Sequence, residues 1–168
     1  MNNALRIAGI IKESIVDGPG IRFVVFAQGC PHNCDGCHNP QTHDFNGGKL
    51  CEIDKLLQEI DKNPLISGVT FSGGEPFCQA KALALLAKEV KKRGLNIFAY
   101  SGYTFEELVN MQNEAVAELL SLCDVLVDGR YIKGQRNLML KFRGSENQRI
   151  IDVQKSLQQG RAVVIEDI

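Results

Sequence analysis

Cys30, Cys34 and Cys37 lie in one short segment, Gly29-Cys30-Pro31-His32-Asn33-Cys34-Asp35-Gly36-Cys37-His38-Asn39-Pro40, with the spacing C-x3-C-x2-C. Thiolates are soft ligands that suit zinc and iron–sulfur clusters. Three on one loop can hold three irons of a [4Fe–4S] cubane, a cluster that usually takes four cysteines. One iron is then left for a ligand that is not protein, and an open coordination position marks a metal site that does chemistry. The same thiolates with His38 or His43 would make a Cys3His zinc site, although zinc loops more often use C-x2-C pairs. The spacing therefore favours iron–sulfur without excluding zinc. Cys51, Cys78 and Cys123 are scattered. They read as small apolar residues, because free cysteine packs as one, and the six cysteines do not make a disulfide framework.

A second constellation is Thr70-Phe71-Ser72-Gly73-Gly74-Glu75-Pro76. Paired glycines let backbone approach a ligand closely, and Glu75 with free backbone groups can hold an ammonium. Taken alone it is an ordinary strand-to-helix turn. A third is Asp17-Gly18-Pro19-Gly20-Ile21-Arg22, a strong turn signal placed before the cysteine loop.

These residues need a scaffold. Residues 5–11 and 21–26 are apolar runs rich in Ile, Val and Phe that read as strands, followed by a long loop over 28–48. Helical spacing predicts helices over 51–62, 79–93 and 104–122, the last opened by a capping box of Thr104 and Glu107. Strands are predicted at 69–71, 95–100 and 124–127, with further candidates at 138–142 and 162–165. Strands alternating with helices imply an α/β fold of parallel βαβ units with right-handed crossovers. At 168 residues the chain is short of the roughly 250 of an eight-unit barrel. A partial (β/α) barrel is expected, a parallel curved sheet with outer helices, forming a single domain over residues 1–168. In such folds reactive groups sit beyond the carboxyl ends of the strands, which is where the cysteine loop emerges.

Composition narrows the function classes. The chain is 44% hydrophobic and 23% charged with a net charge of −1, which points away from disorder and from nucleic-acid binding. No apolar run reaches the roughly 18 residues of a membrane helix, and residues 1–6 lack a signal-peptide start. A cytoplasmic protein without membrane or nucleic-acid partners is expected.

Together, the cysteine loop and the Gly73-Gly74-Glu75 turn resemble the radical SAM superfamily. The resemblance implies a [4Fe–4S] cluster on Cys30, Cys34 and Cys37, with S-adenosylmethionine (SAM) on the fourth iron. It implies that Gly73, Gly74 and Glu75 hold the methionine end of SAM, and that Gly36, Cys37 and His38 line its adenine. The position before the third cysteine is often aromatic in the superfamily. Here it is Gly36, with a ring following at His38. Ser101 is a candidate hydrogen-bond partner of SAM. Asp128 is a candidate for the ribose or for a cation site.

The Asp17-Gly18-Pro19-Gly20 turn and Cys37-His38-Asn39-Pro40 resemble the glycyl-radical-enzyme activases. Asp128-Gly129-Arg130-Tyr131 and the stretch Leu140-Lys141-Phe142-Arg143-Gly144-Ser145-Glu146-Asn147-Gln148-Arg149-Ile150-Ile151-Asp152 resemble the branch that activates anaerobic ribonucleoside-triphosphate reductase. Pyruvate formate-lyase activases share the first three motifs but are longer. The resemblance covers residues 5–153. It implies that the reductase is the protein substrate, that a flavodoxin or ferredoxin supplies electrons, and that the product is a glycyl radical. Arg130, Lys133, Arg136, Lys141, Arg143 and Arg149 face a single acid, Glu146, in this stretch. Such a run is usually a solvated face, and here it is also a candidate for docking the partner or an acidic donor. The alternatives are an activase of another glycyl-radical enzyme, a zinc-stabilised interaction module and a simple iron–sulfur electron carrier.

Overall fold

The computed structural model describes residues 3–166. Its elements are β1 (Ala4–Ser14), β2 (Arg22–Ala27), β3 (Lys49–Glu52), α1 (Ile53–Asp61), β4 (Gly68–Gly73), α2 (Ala80–Lys92), β5 (Asn96–Tyr100), α3 (Phe105–Asn110), α4 (Glu114–Leu122), β6 (Val125–Asp128), β7 (Arg149–Asp152) and α5 (Val153–Gln159). The strands form one seven-stranded sheet in the order β3-β1-β2-β4-β5-β6-β7. The central four, β2, β4, β5 and β6, are parallel. β1, β3 and β7 extend the sheet antiparallel at its two edges.

Strand alternation sorts the side chains into two layers. Phe23, Val25, Val69, Phe71, Ile97, Ala99 and Leu126 point to one face, where Leu56 and Ile60 of α1, Leu83, Leu86 and Val90 of α2, and Leu119 of α4 cover them. α2 packs between α1 and α4. Phe98, Val127 and Ile150 belong to a smaller cluster on the opposite face, joined by Tyr100 and Phe142. One face thus carries the main core and its helices. The other is left for the site.

On that second face Arg22 is wholly buried. It donates from Nε to Thr70 Oγ1 at 2.7 Å, from Nη1 to Pro19 O at 3.1 Å, and from Nη2 to Val69 O at 3.0 Å and Asn96 O at 3.3 Å. Its guanidinium also lies 5.3 Å from the Phe98 ring centre. Burial away from water lowers its pKa to about 10, because desolvation disfavours the charged form. Thr70 Oγ1 in turn donates to Asp17 O at 2.7 Å. The Asp-Gly-Pro-Gly turn is thereby tied to β4 and β5.

Several sequence expectations are corrected. The helix expected over 104–122 is two helices. Gln112 takes a left-handed φ of 53°, and Asn113 caps α4 by accepting from the N–H groups of Ala115 and Val116. The capping box of Thr104 and Glu107 opens α3 as expected. Residues 138–142 are not a strand. β7 forms instead at Arg149–Asp152 and pairs with β6. Of the strand expected at 162–165 only an isolated bridge from Val164 to Ile151 is found. Cys51 belongs to β3, paired with Leu5, so α1 starts two residues later than expected. Among the described residues no helix is long and apolar enough to cross a membrane.

Candidate cluster and cofactor site

A cavity of about 380 Å³ opens at the carboxyl ends of the parallel strands. Cys30, Cys34 and Cys37 all line it. All three are free thiols at intermediate exposure. The loop that carries them is pinned at both ends. Gly29 N donates to Thr42 O at 2.6 Å and Cys30 N to His43 O at 3.2 Å. Gln28 Nε2 donates to Gln41 O and Asp44 O at 3.0 and 2.7 Å. Within the loop Asn33 takes φ 50°, a conformation asparagine tolerates better than most residues. Burial pushes the Cys30 thiol pKa up, against backbone hydrogen bonding from His32 that pulls it down. A thiolate there gains from a metal that neutralises it.

Gly73 and Gly74 line the same cavity. Gly73 has φ 99°, and a side chain on it would meet the Ala27 backbone at 2.5 Å. A side chain on Gly74 would meet Gly29 O at 2.5 Å. Gly74 N donates to Ala27 O and Glu75 N to Gly29 O, both at 2.8 Å. The two glycines therefore press the end of β4 against the base of the cysteine loop, and their backbone stays open to the cavity.

Glu75 is fully buried and is not part of the cavity lining. Its carboxylate accepts from His32 Nε2 at 2.6 Å, Ser101 Oγ at 2.9 Å, Gly102 N at 2.8 Å and Phe77 N at 3.1 Å. Arg130 Nε donates to His32 Nδ1 at 3.3 Å. A guanidinium can only donate, so Nδ1 accepts, and Nε2 carries the proton given to Glu75. The His32 ring also meets Tyr103 edge-on at 4.5 Å and lies so close to Gly102 that any side chain there would collide with it. His32 and Glu75 thus clamp the cysteine loop to the ends of β4 and β5.

The remaining expected site residues divide. His38 and Ser101 line the cavity, and the His38 ring lies 4.9 Å from that of Tyr131. Gly36 sits behind, against the Lys133 and Tyr131 side chains. Asp128 shares the strand parity of Leu126 and is 1% exposed. It accepts from Phe105 N at 2.7 Å and from Arg149 Nη2 at 2.6 Å and Nε at 3.1 Å. That pairing raises the Arg149 pKa well above its usual value. Asp128 faces a second cavity of about 470 Å³, which shares His32 and Cys34 with the first.

The structure adds residues that sequence reasoning did not assign to the site. Asp17, Tyr100, Phe142 and Arg143 also line the first cavity, as does His43, which the sequence offered only as a ligand of the zinc alternative. His43 Nε2 and Arg143 Nε are buried with no hydrogen-bond partner among the described residues. Phe142 takes φ 64°, which for a bulky side chain costs on the order of 1–3 kcal/mol and tends to mark functional positions. The sequence marked Arg143 only by its place in the Leu140-to-Asp152 stretch and in the basic run.

The donor set fits the implied groups. Three soft thiols suit iron–sulfur, an unpartnered buried guanidinium nitrogen suits a polar anionic ligand, and the volume falls within the roughly 300–1,000 Å³ of ligand pockets. Among the described residues no three His, Cys, Asp or Glu side chains converge on a single ion. A cubane needs its ligands at separate corners, not at one point.

The model of the 4Fe-4S single cluster domain matches residues 16–151. That match decides for iron–sulfur over zinc. The anaerobic ribonucleoside-triphosphate reductase-activating protein of Enterobacteria phage T4 is 35% identical over 144 residues, covering 80% of this chain and 86% of that protein. The chain belongs to this family. The protein of the same name from Escherichia coli K12 is 33% identical, covering 80% of this chain and 90% of its own length. The pyruvate formate-lyase-activating enzyme of Clostridium pasteurianum is 37% identical over 130 residues, but the match covers 55% of that enzyme. The crystal structure of QueE from Escherichia coli superposes with a TM-score of 0.50 at 17% identity, covering 74% of this chain and 70% of that one. That likeness shows the fold, the partial (β/α) barrel expected from the sequence.

Proposed function

We propose that this radical SAM enzyme activates an anaerobic ribonucleoside-triphosphate reductase in the cytoplasm by placing a glycyl radical on it. The observation that carries the reading is the meeting, in one cavity, of three free thiols, the Gly73-Gly74 backbone and an unpartnered Arg143 nitrogen. Relatives of the reductase-activating name, matched over 86% and 90% of their lengths, support it. A reduced cluster held there would supply the single electron that cleaves the sulfonium of SAM to methionine and a 5′-deoxyadenosyl radical, and that radical would become 5′-deoxyadenosine by taking a hydrogen atom from a glycine Cα of the partner.

The chain's own residues hold and shield. Cys30, Cys34 and Cys37 would ligate three irons and leave the fourth to SAM. The Gly73 and Gly74 backbone and Ser101 would hold the methionine end, and Arg143 Nε would donate to its carboxylate. Cys37 and His38 would line the adenine. Glu75 and Gly36 support these groups from behind, and Asp128 fixes the start of α3. A flavodoxin or ferredoxin is the expected electron source.

The test is to reconstitute the protein without oxygen and mix it, reduced and with SAM, with each candidate partner. A glycyl radical seen by electron paramagnetic resonance on the reductase is the expected result. The same radical on pyruvate formate-lyase alone would move the chain to the other activases.

A further inference from the structure

The four most exposed large hydrophobic side chains among the described residues are Met139 at 89%, Leu138 at 79%, Ile15 at 75% and Val16 at 71%. The two pairs, Ile15-Val16 and Leu138-Met139, lie in chain segments that contribute residues to the lining of the same cavity. Val16 lines it, and so does Leu140, the neighbour of Met139. Exposed apolar patches of this kind mark interaction sites, and methionine adapts readily to an irregular partner surface.

The lip that carries Leu138 and Met139 is fixed at its base and free at its tip. Arg136 bridges Ser145, Asn137 N donates to Gly144 O at 3.2 Å and Glu146 N to Gln135 O at 2.9 Å. Asn137 Oδ1 accepts from Met139 N at 2.9 Å. The tip is therefore preformed. Its charge is also unspent. Lys133, Arg136 and Lys141 form no ion pair among the described residues, whereas Arg130 and Arg149 both do. Glu146, the single acid of the stretch, accepts from Asn137 Nδ2.

We infer that the Leu138-Met139 tip and the Ile15-Val16 turn form the docking surface for the reductase segment that carries the target glycine, and that this segment bears carboxylates beside apolar side chains. The inference rests on the proposed function and deepens it. A hydrogen atom can leave a glycine Cα only if that Cα enters the cavity, so the partner must cover the mouth. Apolar lips exclude water from the contact, and the unpaired cations choose an acidic partner and speed its approach.

The test uses the full-length, cluster-loaded protein. Leu138→Asp, Met139→Asp and Ile15→Asp probe the apolar lips, and Arg136→Glu probes the charge. Iron content and SAM cleavage with dithionite in the absence of reductase check that each variant is folded, and both should stay within about twofold of wild type. Affinity for the reductase and glycyl-radical yield should each fall by about tenfold or more, with the wild-type affinity weakening as salt rises. Unchanged affinity and yield would overturn the surface while leaving the function intact. Loss of yield only when flavodoxin replaces dithionite would assign the surface to the donor and overturn the inference. Lip-dependent binding without any glycyl radical would uphold the surface and defeat the proposed function.

Discussion

The two walls of the cavity are built in opposite ways. On the wall of the cysteine loop the buried polar groups around Glu75 are spoken for. Glu75 gathers His32, Ser101, Gly102 and Phe77, and Gly73 and Gly74 leave no room for a side chain against the loop's base. The facing lip, from Arg136 to Ser145, is pinned at its base and presents bare Leu138 and Met139 with unpaired cations. Saturated hydrogen bonding suits a resident group whose geometry must not drift. Unspent apolar and charged surface suits a partner that comes and goes. The difference separates holding the cofactors from meeting the substrate.

The largest effect should come from the saturated wall. Cys34→Ala should drop SAM cleavage to background and lower iron content, measured by iron and sulfide analysis with 5′-deoxyadenosine assay. Full iron and full cleavage in this variant would remove the ligand assignment. Next, Glu75→Ala leaves several buried donors without an acceptor, and hydrogen bonds to a charged group are worth more than neutral ones. A loss of about 3 kcal/mol is expected, read from the denaturant midpoint. A loss below about 0.5 kcal/mol would show that the carboxylate is not a hub.

His32→Leu is milder. It should keep its iron but raise the KM for SAM by about tenfold, about 1.4 kcal/mol of positioning. His32→Gln, which can still donate to Glu75, should recover most of that loss. An unchanged KM in the Leu variant would uncouple His32 from the SAM site. The smallest effect is a control far from both walls. Leu65 is 64% exposed but precedes β4, at the opposite end of the strands from the cavity. Leu65→Ser should change neither stability by more than about 0.5 kcal/mol nor reductase affinity. If it weakened reductase binding as Met139→Asp does, exposure alone and not position at the mouth would explain the lip variants.

What the sequence revealed follows from how local each signal is. Cys30, Cys34, Cys37 and the Gly73-Gly74 turn were legible because ligand spacing and backbone approach are properties of a few neighbouring residues. The parallel centre of the sheet was legible from alternating periodicity. The break at Gln112 was missed because apolar spacing continues across it, although Asn113 is a good helix cap. β7 was missed because four residues with charged ends give no strand pattern and gain their order from β6. Asp128 was expected at the cavity because it ends a strand, but its parity with Leu126 turns it toward α3 and Arg149. Arg143 was not recognisable as a cavity residue, and His43 entered only as a ligand of the zinc alternative, because an unpartnered nitrogen exists only once the tertiary structure has enclosed it.

The most direct measurement of the central claim is electron paramagnetic resonance of the anaerobically reconstituted, reduced protein before and after SAM is added. A cubane with one corner free of protein should show a signal whose g values move when SAM occupies that corner. A cluster whose signal ignores SAM, or a colourless zinc protein, would contradict the account.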